Sequence, residues 1–240
     1  VKAGPGRGDA GAPAYGAQEE DVMDDATPDA REEPRSGPQG ATVGAPGRVL
    51  VVFATRHGST PEVAEAVAEE LRAGGAEVDV RPAGLGGDLS RYSAVIVGAP
   101  MILGWHKDAL RFIARHRAQL ASMKTAYFVT AASLTETGEE RIDGIPIVKD
   151  PWLAKPPKDP GRLSFRERYA RPAKYLGKPL RKAPDVRPSS VAFLAGSLDL
   201  TKMNILEKAF VLLIVAATPG DSRNWEAIRA WARGLVPLLS

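Results

Sequence analysis

Six consecutive residues, Thr55-Arg56-His57-Gly58-Ser59-Thr60, carry the clearest chemistry in the chain. They follow a continuous apolar run, Val49 to Ala54, and precede Pro61 and an amphipathic stretch. A β-branched apolar run of that length suits a strand buried on both faces of a parallel sheet. Pro61 suits a helix start, and Val63, Ala64, Val67, Ala68 and Leu71 share one helical face up to the Gly74-Gly75 stop. The six residues therefore form the turn that opens a helix, whose first N–H groups have no intrahelical partner and point outward. With the helix dipole they make an anion site. Gly58 permits close approach of the backbone, and Thr55, Ser59 and Thr60 add hydroxyl donors. Arg56 and His57 either add positive charge or face solvent. Hydroxyls in place of a lysine suit a phosphate monoester without magnesium. The turn matches neither GxxxxGK[ST] nor GxGxxG, which disfavours ATP and the usual dinucleotide fold. The plainer alternative is a helix N-cap turn that happens to be rich in Ser and Thr.

The elements that must position this turn are legible along the chain. Further strands are expected at 77–81, 94–99, 124–131 and 191–195. Helices are expected at 61–71, 107–120, 203–217 and 222–238, the last capped by Asp221 or Ser222. This order predicts an α/β doubly wound five-stranded parallel sheet, order 2-1-3-4-5, with a long insertion at about 133–190 before strand five. In such sheets ligands bind at the carboxyl ends of the strands where the order reverses, here between strands one and three. The loops at that point are 55–60 and 99–106. A helix near 163–176 would be kinked or split by Pro172.

Phe53 to Thr60 resembles the FMN-phosphate loop of flavodoxins. Gly98 to His106, Leu120 to Met123, Leu194 to Leu198 and Gly220 through Trp225 extend the similarity. They are most like the flavodoxin-like, quinone-dependent (menaquinone-dependent) protoporphyrinogen IX dehydrogenases of bacteria. The resemblance covers most of 48–132 and 190–235. It implies a flavodoxin-like fold, FMN as cofactor and redox chemistry, with a carboxylated porphyrinogen as substrate and a quinone as acceptor. It places the phosphate at Thr55, Arg56, His57, Gly58, Ser59 and Thr60. The isoalloxazine ring then lies between Pro100, Met101, Leu103, Gly104 and Trp105 on one side and Ala131, Ala132 and Ser133 on the other. Trp105 either stacks on the flat ring or packs on the following helix. Gly104 lets the chain turn close to the ring, and the backbone N–H groups of 131–133 approach its pyrimidine end. His106, just ahead of a helix, reads as a cap or surface residue more readily than as an acid–base group. In this reading the flavin supplies the chemistry and the protein supplies orientation and electrostatics. A carrier of electrons without its own substrate is the alternative from another functional class.

Composition bounds the remaining possibilities. The 240 residues contain no cysteine, which excludes disulfides, thiolate catalysis and cysteine-ligated metal centres. With three histidines and no metal-spaced cluster, no metal is expected. Residues 1–47 hold four basic and nine acidic residues and few large apolar ones, the composition of a disordered tail. No secretory signal or spanning helix is expected, because 1–16 lack an apolar core and the longest apolar run, 209–217, is short. The location is expected to be cytoplasmic, at most peripheral to the inner face of the cell membrane. Residues 149–188 hold twelve basic and four acidic residues with interleaved aromatics. That segment has three readings: a solvated loop, a contact with anionic membrane, or an electropositive lid for a carboxylated substrate. No nucleic-acid-binding fold is recognised, and the oligomeric state is not legible.

Overall fold

The computed structural model describes residues 47–56, 59–101, 104–199, 201, 205 and 220–239. The tail through residue 46 and most of the helix expected at 203–217 lie outside the described residues. In chain order the elements are β1 (Val49–Phe53), α1 (Ser59–Ala73), β2 (Val78–Pro82), β3 (Ala94–Met101), α2 (Lys107–Arg115), α3 (Arg117–Ala121) and β4 (Lys124–Ala131). The insertion follows with β5 (Leu134–Thr135), β6 (Arg141–Ile142), β7 (Ile145–Lys149), β8 (Ala154–Lys155), α4 (Phe165–Tyr169) and α5 (Pro172–Lys182). The chain closes with β9 (Ser190–Ala195), β10 (Ser197–Leu198), β11 (Gly220–Asp221) and α6 (Trp225–Leu239).

The central sheet runs β2-β1-β3-β4-β9-β7-β6. Its first five strands are mutually parallel and stand in the expected 2-1-3-4-5 order. Every residue of β3 is buried, as its unbroken apolar run demands. Side chains alternate between two helical layers. On one face Val49, Val51, Ile96, Phe128 and Leu194 pack against α1 and against Ile228, Trp231 and Leu235 of α6. On the other, Leu50, Val95, Val97, Tyr127 and Phe193 pack against Phe112 and Ile113 of α2 and Tyr175 and Leu176 of α5.

The sheet has seven strands rather than the five expected. The insertion adds β7, parallel to β9, and β6, which returns on β7 as an antiparallel hairpin. Asp143 and Gly144 both have positive φ at the hairpin tip (49° and 81°), the geometry a two-residue Asp-Gly turn supplies. Nor is the insertion a solvated loop, since Leu153, Ala170, Tyr175, Leu176, Ala183 and Val186 are all buried. Pro172 does not kink a helix but begins α5, where its missing N–H has no cost.

Two helix boundaries also differ. The helix expected over 107–120 breaks at His116 into α2 and α3. The last helix starts at Trp225, because Asn224 Oδ1 accepts from Ala227 N at 3.2 Å and caps it. Asp221, the expected cap, is held by Arg223 instead, at 2.6 and 2.8 Å. Among the described residues no helix is long and apolar enough to cross a membrane.

Candidate functional site

A cleft of about 390 Å³ opens at the carboxyl ends of β1, β3, β4 and β9, where the strand order reverses. That size falls within the range of ~300–1,000 Å³ usual for small-molecule sites. Its inner half is lined by Thr55, Arg56, Ser59 and Thr60 from the turn into α1, by Pro100 and Met101 ending β3, and by Thr130 to Thr135 ending and following β4. The hydroxyls of Thr60 and Thr130, both buried, stand 3.4 Å apart and tie the start of α1 to β4.

No carboxylate lines this inner half among the described residues. The acidic residue in the first turn of α1, Glu62, is paired with Arg223 at 2.7 Å. A helix N-terminus with hydroxyls around it, and with Glu62 of its first turn drawn into an ion pair, suits the phosphate of FMN.

The wall after β4 is held from outside by the insertion. Tyr175 OH donates to the Ser133 carbonyl at 2.8 Å, Thr135 N donates to Ala170 O at 3.0 Å, and Glu136 N donates to Lys155 O at 2.8 Å. Burial pushes the Tyr175 phenol pKa up, so it remains the donor.

Asp150, 1% exposed, joins the insertion to the rest of the cleft. Its carboxylate accepts from Trp152 N at 2.9 Å, Ala195 N at 3.0 Å and Asn224 Nδ2 at 3.0 Å. One buried side chain thereby fixes the start of the insertion's cleft wall, the end of β9 and the cap of α6.

Two ion pairs add to this bracing, Lys149 with Glu136 and Arg171 with Glu139 at 2.7 Å. Burial pushes both glutamates up, but it is outweighed by the hydrogen bonds and cations around them. Both carboxyls end below the ordinary glutamate range.

The cleft brings together Thr55, Arg56, Ser59, Thr60, Pro100, Met101, Ala131, Ala132 and Ser133. His57, Gly58 and Leu103 lie outside the described residues. Gly104 and Trp105 do not line it, and of the two readings of Trp105 the structure favours packing over stacking on the ring. Trp105 is 5% exposed and meets the Tyr127 ring edge-on at 5.7 Å. It bridges back to Met101, so the turn folds the indole into the core. Gly104 is needed for that turn, with φ at +103°, and a Cβ there would stand 3.1 Å from Lys178 Nζ of α5.

His106 caps α2, its Nδ1 accepting from Asp108 N at 3.4 Å. Burial lowers its pKa, with Asp108 in partial opposition. Sequence reasoning named no site residue in the segment after β9, Gly196 to Leu198, and had the outer wall only as one of three readings of 149–188, the electropositive lid, with no residue singled out. The first was within reach, because it too follows the carboxyl end of a sheet strand.

The model of the flavodoxin domain family matches residues 50–224. The chain belongs to this family. A flavodoxin domain takes FMN as its cofactor, and the protein is a flavoprotein of the oxidoreductase class. It is 22% identical over 207 residues to protoporphyrinogen IX dehydrogenase [quinone] of Escherichia coli (strain K12), covering 80% of this chain and 96% of that protein. Among solved structures it is similar to a flavodoxin, WrbA-like protein from Agrobacterium tumefaciens, with TM-score 0.39, 13% identity, and coverage of 80% and 96%. It is also similar to oxidised flavodoxin 2 from Bacillus cereus, with TM-score 0.36, 16% identity, and coverage of 68% and 97%.

Proposed function

We propose that this flavodoxin-family protein is an FMN-dependent dehydrogenase that takes electrons from an organic substrate and passes them to a quinone. By similarity to the E. coli relative, protoporphyrinogen IX is the first substrate to test. The observation that carries this reading is the second wall of the cleft. Residues of the insertion between 152 and 170 line it together with the residues suited to the cofactor, and in this reading they meet a reactant beside the flavin. A carrier that docks to protein partners has no use for such a wall.

In this reading Thr55, Arg56, His57, Gly58, Ser59 and Thr60 bind the FMN phosphate through hydroxyls and backbone N–H groups. Pro100 and Met101 flank one side of the ring, and Ala131, Ala132 and Ser133 the other. Gly104 and Trp105 shape the turn that follows β3. Bound FMN supplies the two-electron acceptor. The protein's own contribution is orientation and the exclusion of water, with Tyr175 and Asp150 keeping the cleft walls fixed.

The test is anaerobic addition of protoporphyrinogen IX to the FMN-loaded protein, followed by a soluble menaquinone analogue. Bleaching of the flavin by the first and return of its colour with the second are expected. FMN uptake without bleaching by this donor would leave an electron carrier, and no uptake of FMN would remove the cofactor assignment itself.

A further inference from the structure

The outer wall of the cleft differs in chemistry from the inner one. Trp152, Lys155, Pro156, Lys158 and Arg166 line it, with Glu167 its one carboxylate among the described residues. Trp152 is 67% exposed. Side chains of that size are highly buried on average, so an exposed indole at a cleft mouth calls for an explanation. Its backbone does not swing, because Trp152 N is bonded to the buried Asp150 carboxylate. Glu167 offsets one charge against three cations, Lys155, Lys158 and Arg166. Its oxygens accept from Lys158 N at 2.8 Å and Ser164 N at 2.7 Å, and Ser164 completes a capping box with it at the start of α4. These bonds hold its carboxyl at about 2, so it stays ionised but engaged.

Resting on the flavin reading of the inner half, we propose that this rim is the binding subsite of the electron donor. The donor has an apolar body of aromatic rings carrying at least two anionic groups, and the neutral quinone does not use the subsite. The Trp152 face takes one of the rings, and Lys155, Lys158 and Arg166 face the anions. Two sources have this chemistry, a polycarboxylated tetrapyrrole and a phosphorylated dinucleotide.

The experiment is calorimetric titration of the FMN-loaded full chain with protoporphyrin IX, with its uncharged dimethyl ester, and with NADP⁺. The wild type is compared with Trp152→Ala and with the double variant Lys155→Gln/Lys158→Gln. One of the two anions is expected to bind the wild type, and to bind each variant roughly tenfold more weakly. The diester should bind weakly and equally to the wild type and the double variant, and added salt should remove the advantage of the anion. Reoxidation of the photoreduced protein by menadione should proceed at one rate in all three. Which anion binds identifies the source. Binding of neither anion overturns the subsite, as does a diester bound as tightly as the diacid, or an anion bound equally by the double variant. Because FMN uptake is measured on the same samples, failure of the cofactor assignment is seen separately from failure of the rim.

Discussion

Replacing Asp150 with alanine tests whether one buried carboxylate holds the cleft together. The change strands three donors, Trp152 N, Ala195 N and Asn224 Nδ2, and the bonds to the last two are fully buried. A buried donor left without its acceptor costs about 1–3 kcal/mol. Two such buried donors together cost roughly 2–6 kcal/mol. We take about 4 kcal/mol, which for a domain of this size corresponds to a fall in Tm of roughly 10 °C. The assay is urea unfolding with and without saturating FMN, read as a shift of the midpoint at constant slope. Ala195 and Trp152 both line the cleft, so FMN affinity should fall as well. Asp150→Asn keeps the shape but turns an amide N–H₂ toward donors, and should lose at least half as much. A loss below about 1 kcal/mol for Asp150→Ala, with FMN affinity intact, would refute the reasoning, since a stranded buried donor has no cheaper outcome.

Three further outcomes follow from the same geometry. Gly98→Ala would put a Cβ 1.9 Å from Cζ of the fully buried Phe128; it should cost about 1–3 kcal/mol in urea unfolding and be partly rescued by Phe128→Leu. Trp105→Phe should leave the FMN Kd within about twofold, whereas a stacked indole would lose roughly tenfold by titration. Glu136 and Glu139 are held below their ordinary range in the folded protein, so their stabilisation is complete above that range and is lost as pH falls through the folded values. Hydrogen exchange should therefore show the Thr135 and Glu136 amides losing protection as the pH falls below about 4.5, and unchanged protection would count against the bracing role.

The parts of the fold written in contiguous residues were legible in the sequence. Val49 to Ala54 and Ala94 to Ala99 read as buried strands because both faces are covered, which leaves a run of apolar residues and little else. The turn Thr55–Thr60 was visible because its chemistry and its placement between strand and helix are local. Trp105 stayed open between two readings, because a positive φ such as that of Gly104, which redirects the chain just before the indole, is not written in the residue types. The fold of the outer wall was hidden for another reason, although its basic charge allowed the reading of a lid. Its strands span two to five residues, and its ties are long-range, with Asp150 bonded 45 and 74 positions away. Several polar residues capable of capping crowd 221–224, and only the pairing of Asp221 with Arg223 leaves the cap to Asn224.

The strand that the insertion lays along β9 also bears on how far the chain can be trimmed. All six residues of β9 are buried, and β7 occupies the hydrogen-bonding row on its outer side. Cut away 133–190 and that row of N–H and C=O groups stands open beside side chains that are apolar on both faces. Such a margin invites other chains to add to it. In the intact protein the sheet instead ends in a two-residue strand on one side and, on the other, in β2, whose Asp79 and Arg81 are charged. A miniature reduced to the five core strands would consequently precipitate before its catalysis could be assayed, and the insertion guards solubility whatever else it binds.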